Sequence, residues 1–175
     1  MAGKFLGLVI IMSAAFVGGA VYYLQIYHFY EMKGASGQED VLLNSKLTGR
    51  LEPLAHTNFT SIDATSSPIR YRACFKTDLN PQRLVDEYRQ YAGAEPLSAP
   101  GWFDCFDAKA IGAALGNGKA TAFLGQSNVQ YGVDRVVAIT ESGSGYIWHQ
   151  INKCGDAVFN GREKPEECPE ASEGK

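Results

Sequence analysis

No Asp, Glu, Lys or Arg occurs between Phe5 and Tyr30 of the 175-residue chain. That absence excludes an ordinary surface helix, which needs a polar face. No Cys-x-x-Cys pair occurs either, so a thioredoxin-like redox motif is excluded, and no cysteine spacing resembles a zinc site. The histidines His28, His56 and His149 form no His-x-x-x-His or His-Glu pair, so a metal site has no local support. No Gly-x-Ser-x-Gly elbow points to a hydrolase. The stretch 112–121 contains Gly118-Lys119, but Ala120 stands where a phosphate loop needs Ser or Thr, so it reads as a turn. A net charge of −3 with no basic run excludes a nucleic-acid or polybasic lipid-binding role. The expectation from these gaps is a protein that is not an enzyme and uses no metal or cofactor.

What fills the uncharged stretch is Leu, Val, Ile, Phe, Ala and Gly. As a helix it would reach about 39 Å, more than the hydrocarbon core of a bilayer. Lys4 and the small residues Gly18-Gly19-Ala20 also fit a signal peptide. The run continues past that cut through Val21, Leu24 and Ile26, however, and ends in Tyr22, Tyr23, Tyr27 and Tyr30, which suit a membrane–water interface. An uncleaved anchor over 1–31 is therefore expected. Ala14 with Gly18, and Ala15 with Gly19, are pairs four apart that stack on one helix face and let a second helix approach closely. They are the candidate helix-packing residues.

The rest is one ordinary domain by length. Its four cysteines are Cys74, Cys105, Cys154 and Cys168. An even number in an exported domain reads as disulfides, with three pairings open. Cys154–Cys168 is favoured because it brackets a short segment with no core of its own, which leaves Cys74–Cys105. Bridges place the domain in an oxidising compartment such as a bacterial periplasm, with the N-terminus in the cytoplasm.

Along the chain, residues 32–40 read as a linker, flexible from Gly34 to Asp40. Val41 to Leu54 reads as a first strand region with Leu47, Leu51 and Leu54 as core candidates, and 56–67 as a loop. Residues 69–77 alternate as a half-buried strand, with Ile69, Tyr71, Ala73 and Phe75 opposite Arg70, Arg72, Cys74 and Lys76. Asn80-Pro81 starts a helix that Gly93 can end, and Asp107 caps a second that ends at Gly116. Strands follow at 120–125, 133–140 and 146–152, the last two joined by Gly143-Ser144-Gly145. Residues 41–160 make the domain, and 161–175 an acidic tail with five Glu. The order strand-strand-helix-helix-strand-strand-strand predicts an α+β fold with an antiparallel sheet and two helices. That order resembles PAS-like and profilin-like domains, a topological likeness only.

Asp134-Arg135 interrupts an apolar strand. It reads as an exposed ion pair; alternatively Arg135, Arg70 and Arg72 form a positive sheet face for an acidic partner. Trp102, Phe103, Phe106, Tyr146 and Trp148 read as core beside a disulfide. If exposed, Trp102 and Trp148 would anchor an interface.

Trp102-Phe103-Asp104-Cys105-Phe106-Asp107-Ala108, the run 131–138 and Trp148 through Gly155, taken with the Tyr-rich span, resemble a family of alphaproteobacterial membrane-anchored proteins classed as a domain of unknown function. The resemblance covers nearly the whole chain and implies source and compartment, not mechanism. The function expected is a non-catalytic, membrane-anchored periplasmic accessory or assembly subunit of an inner-membrane complex, such as a respiratory or photosynthetic one. Its partners would be membrane lipid along residues 5–30 and the larger complex. The alternative is a periplasmic ligand-binding or sensory module with a PAS-like fold.

Overall fold

The computed structural model describes residues 2–170, so residues 171–175 of the expected acidic tail lie outside the described residues. Helix α1 (Ala2–Tyr23) runs into a π-helical turn, Leu24–His28. From Gly3 to His28 this helix is long and apolar enough to cross a membrane, and its most apolar stretch is free of the domain. Apolar residues face every direction, a pattern shared by membrane anchors and signal sequences.

Eight strands and three more helices follow: β1 (Glu31–Gly34), β2 (Leu42–Asn44), β3 (Leu51–Pro53), β4 (Thr57–Asp63), β5 (Arg72–Lys76), α2 (Pro81–Glu87), α3 (Ala108–Gly116), β6 (Ala120–Gln130), β7 (Val133–Thr140), β8 (Ser144–Ile151) and α4 (Lys153–Phe159). Six strands form one antiparallel sheet in the order β1-β4-β5-β8-β7-β6, and β2 and β3 form a separate hairpin. The class is α+β.

The sheet is covered on both faces. Ala73, Phe75, Phe123, Val137, Ile139 and Ile147 project to one side, where Val41 and Leu43 of the hairpin region, Leu54, and Leu84 of α2 close the core. Ile62, Cys74, Ala122, Val136, Ala138 and Trp148 project to the other, under Phe103, Phe106 and Ile111. Strand β5 is consequently buried on both faces rather than half-buried: even Arg72 is only 4% exposed. Period-two alternation marks a strand but does not say that its polar face is wet.

Other expectations change too. Residues 32–40 are not a free linker, because β1 pairs with β4 from Glu31↔Asp63 to Gly34↔Thr60. The stretch 56–67 is not a loop but holds β4, which is paired on both sides by β1 and β5 and is interrupted by a register shift at Asn58, whose φ is +51°. Leu47 is 93% exposed and Leu51 37%, so the core positions of this region are Val41, Leu43 and Leu54. Helix α2 stops at Glu87, well short of Gly93. The next residues are drawn out as a bridge between hairpin and sheet: Arg89 donates to Asn44 O, and Leu124 donates to Arg89 O. Helix α4, absent from the expected order, is capped by Asn152, whose side chain accepts from Cys154 N and Gly155 N.

The cysteines join as Cys74–Cys105 and Cys154–Cys168, and no described cysteine is free. The first ties the segment that covers the second sheet face to β5. The other ties the chain after α4 back to that helix.

Candidate functional site

Where α1 ends, its last carbonyls have no partner further along the helix, since the chain turns away at Tyr30. Trp102 supplies one: its indole Nε1 donates to Ile26 O at 2.8 Å. The π-helical turn, closed by Phe29 N to Leu24 O at 3.1 Å, sits at this contact. Tyr27 stacks on Trp102 with ring centres 6.5 Å apart, Tyr23 stacks on Tyr27 at 5.9 Å, and Tyr30 meets Trp102 edge-on at 6.0 Å. The Arg70 guanidinium lies 5.6 Å from the Tyr30 ring centre. Trp102 thus does form an anchoring contact, but with this chain's own helix. The tyrosines at the end of the N-terminal helix and the Trp-Phe motif of the domain are two halves of one aromatic junction.

Trp148, the other candidate interface ring, is fully buried. It packs edge-on against Phe106, and its Nε1 donates to Gln150 Oε1 at 3.2 Å. It is core and presents nothing to a partner.

The three candidate arginines do not share a face. Arg70 sits at the junction. Arg72 points into the second face, where it donates to Leu97 O, Ile69 O, Tyr71 O and Ser98 O. Its guanidinium also lies 5.7 Å from the Phe106 ring centre. Burial without a carboxylate lowers its pKa to about 10. Arg135 projects to the first face. The expected Asp134–Arg135 ion pair does not form, because neighbours on a strand point to opposite sides.

Asp134 is buried and structural. It accepts from Tyr91 Oη at 3.2 Å, from Asn128 N at 2.9 Å and from Asn152 Nδ2 at 2.8 Å. It therefore links the bridge segment, the end of β6 and the α4 cap. Loss of solvent, and then the Asp134 charge, push the Tyr91 hydroxyl's pKa upward.

Arg135 sits in a different group, which the sequence did not join. It pairs with His149 across β7 and β8, its Nε 3.1 Å from His149 Nε2. His149 Nδ1 lies 2.6 Å from Pro68 O. A carbonyl only accepts, so Nδ1 carries the proton and Nε2 offers its lone pair to Arg135. Tyr71 stacks on His149 at 4.8 Å, and the Arg135 guanidinium lies 4.7 Å from the Tyr71 ring centre. Burial drives the His149 pKa down to about 4, with the Pro68 hydrogen bond opposing it and the Arg135 charge adding to it. Tyr71 and His149 carried no motif. Only the cross-strand register brings them to Arg135.

Ala14, Ala15, Gly18 and Gly19 lie exposed on α1, and a Cβ added at Gly18 or Gly19 would meet nothing within 4 Å. Among the described residues, no three His, Cys, Asp or Glu side chains gather as metal ligands would.

Residues 41–169 match the family of unknown function DUF6446, and the chain belongs to that family. No curated protein and no solved structure matches it.

Proposed function

We propose that the chain is a non-catalytic accessory or assembly subunit of a multi-subunit complex, such as a respiratory one, in an alphaproteobacterial inner membrane. In this reading α1 stays in the bilayer with the N-terminus cytoplasmic, and the domain from β1 through Cys168 is periplasmic. The observation that carries it is the Trp102–Ile26 contact within the aromatic junction. A domain that merely had to remain near a membrane would need only a loose tether. One bonded to the end of its own helix presents a fixed surface to whatever lies beside that helix, which suits a part that caps or braces a larger assembly. Two supports are secondary: the paired cysteines fit an oxidising compartment, and the small residues of α1 leave room for a neighbouring helix.

Purification of the tagged full chain in mild detergent tests the reading. Co-purification of a membrane complex in fixed stoichiometry is expected, weakened when Gly18 and Gly19 are replaced by Leu. A lone monomer from the membrane fraction overturns the accessory role. Recovery of a chain shortened near Val21 in the soluble fraction overturns the anchor, and free thiols at all four cysteines in the native protein overturn the compartment.

A further inference from the structure

Beside β7 and β8, next to the loop before β5, lies an open recess of about 530 Å³ whose wall includes Arg135, His149, Thr65, Ser66, Ser67 and Gln130. Its base is unusually well fixed for a side chain as long as arginine. The Arg135 Nε is held by His149 Nε2, its flat face by the Tyr71 ring, and His149 in turn by Pro68 O and by stacking on Tyr71. These contacts leave the outer edge of the guanidinium unused. Neither Nη atom bonds a protein group among the described residues, and no carboxylate among them lies within ion-pair distance of Arg135. A half-buried guanidinium that lines the recess, held at Nε and on its flat face with neither Nη engaged, matches the needs of an oxyanion, which accepts two parallel hydrogen bonds.

We propose that this recess binds a small carboxylate on the outer Nη edge of Arg135, with His149 and Tyr71 as positioning residues. The reading is independent of the accessory role above. Asp63 narrows the ligand class. It stands in the same wall, accepts from Ala64 N at 2.8 Å and is 3.8 Å from Lys33 Nζ. A carboxylate on that side disfavours a dianion such as phosphate and favours a monocarboxylate. A hydroxyl or ammonium beside the carboxylate would find acceptors in Asp63 and the 65–67 hydroxyls. Small hydroxy acids and amino acids have this chemistry.

The test uses the full chain in detergent micelles with 15N-labelled arginine, titrated separately with L-lactate, L-alanine and inorganic phosphate. The Arg135 Nε–Hε resonance, identified by its loss in Arg135→Gln, is expected to shift saturably with lactate or alanine. Arg135→Lys keeps the charge without the fork and should weaken binding about tenfold. Unchanged Arg72 resonances in both variants show that the fold is kept. Three results would each overturn the proposal: no saturable shift with either carboxylate, the same affinity in Arg135→Gln measured by calorimetry, or tighter binding of phosphate than of both carboxylates.

Discussion

A guanidinium buried without a carboxylate persists only where other acceptors replace water, and at Arg72 four backbone carbonyls do so. Two of them, Leu97 O and Ser98 O, belong to a proline-containing segment with no regular structure of its own. Arg72 is thus a peg on which that cover hangs. Arg72→Leu should destabilise the domain by roughly 3 kcal/mol, because removing the donor leaves the buried Tyr71 carbonyl unpaired and unties Leu97 and Ser98 from the sheet. Thermal unfolding by circular dichroism would read the loss. A second expectation concerns His149, which is held neutral. Its pKa is about 4 in the folded protein, against the ordinary 6.5. The unfolded chain therefore takes up the proton first as pH falls. The stability from a neutral His149 is complete above pH 6.5, declines as pH falls toward 4, and totals on the order of 3 kcal/mol. Arg135 and Arg72 push its pKa the same way as burial, while Asp63 and the Pro68 carbonyl oppose them. Denaturant titrations across that range should show a steeper pH dependence for the native chain than for His149→Gln. Neither role was legible beforehand. Alternation placed Arg72 on a face that looked wet, and the pairing of Arg135 with His149 depends on register, which needs the sheet.

Among the elements, those with strong local signals stood where sequence placed them. Helix α3 carries its Asp107 cap, accepting from Lys109 N and Ala110 N, and β7 is apolar from Val136 to Ile139. Elements governed by distant partners did not. The residues after α2 carry helical spacing at Tyr88 and Tyr91, yet they are extended because Asn44 and Ala122 offer backbone partners on either side. Strand β4 has few apolar residues and is a strand because β1 and β5 flank it. The disulfides serve two such dependent regions, and their removal should not cost the same. Cys74 and Cys105 are 31 residues apart and Cys154 and Cys168 are 14 apart. Loop-closure entropy alone gives about 3 kcal/mol for the shorter and slightly more for the longer. The longer one also holds the segment carrying Phe103 and Phe106 over the core, so Cys74→Ser/Cys105→Ser should lower the denaturant midpoint further than Cys154→Ser/Cys168→Ser. In the second variant the loss should be confined to α4 and the residues C-terminal to it, visible as faster amide exchange there.

The molecule as a whole is a helix and a sheet-based domain joined without slack: only Phe29 and Tyr30 separate the π-helical turn from β1. Trp102→Phe keeps a ring at the junction but deletes the donor to Ile26 O. A hydrogen bond of this kind is worth about 1 kcal/mol, so amide exchange at Phe29 and Tyr30 should speed roughly five- to tenfold. Trp102→Ala should go further. Hydrogen exchange read by mass spectrometry on the full chain would separate the two.

That rigid joint makes the anchor a shaft. Turning α1 about its axis turns the sheet, so under the proposed accessory role the helix face given to a neighbouring helix also fixes the compass bearing of Arg135. Each residue added between Gly19 and Ala20 would swing the domain by about 100° relative to the upstream helix and lift it about 1.5 Å. Two inserted alanines would point the domain nearly backwards, at about 200°, whereas four would bring it round to within about 40° of its starting direction. An attachment that depends on bearing should therefore fail with two and largely recover with four, a phase dependence that a slack tether would not show.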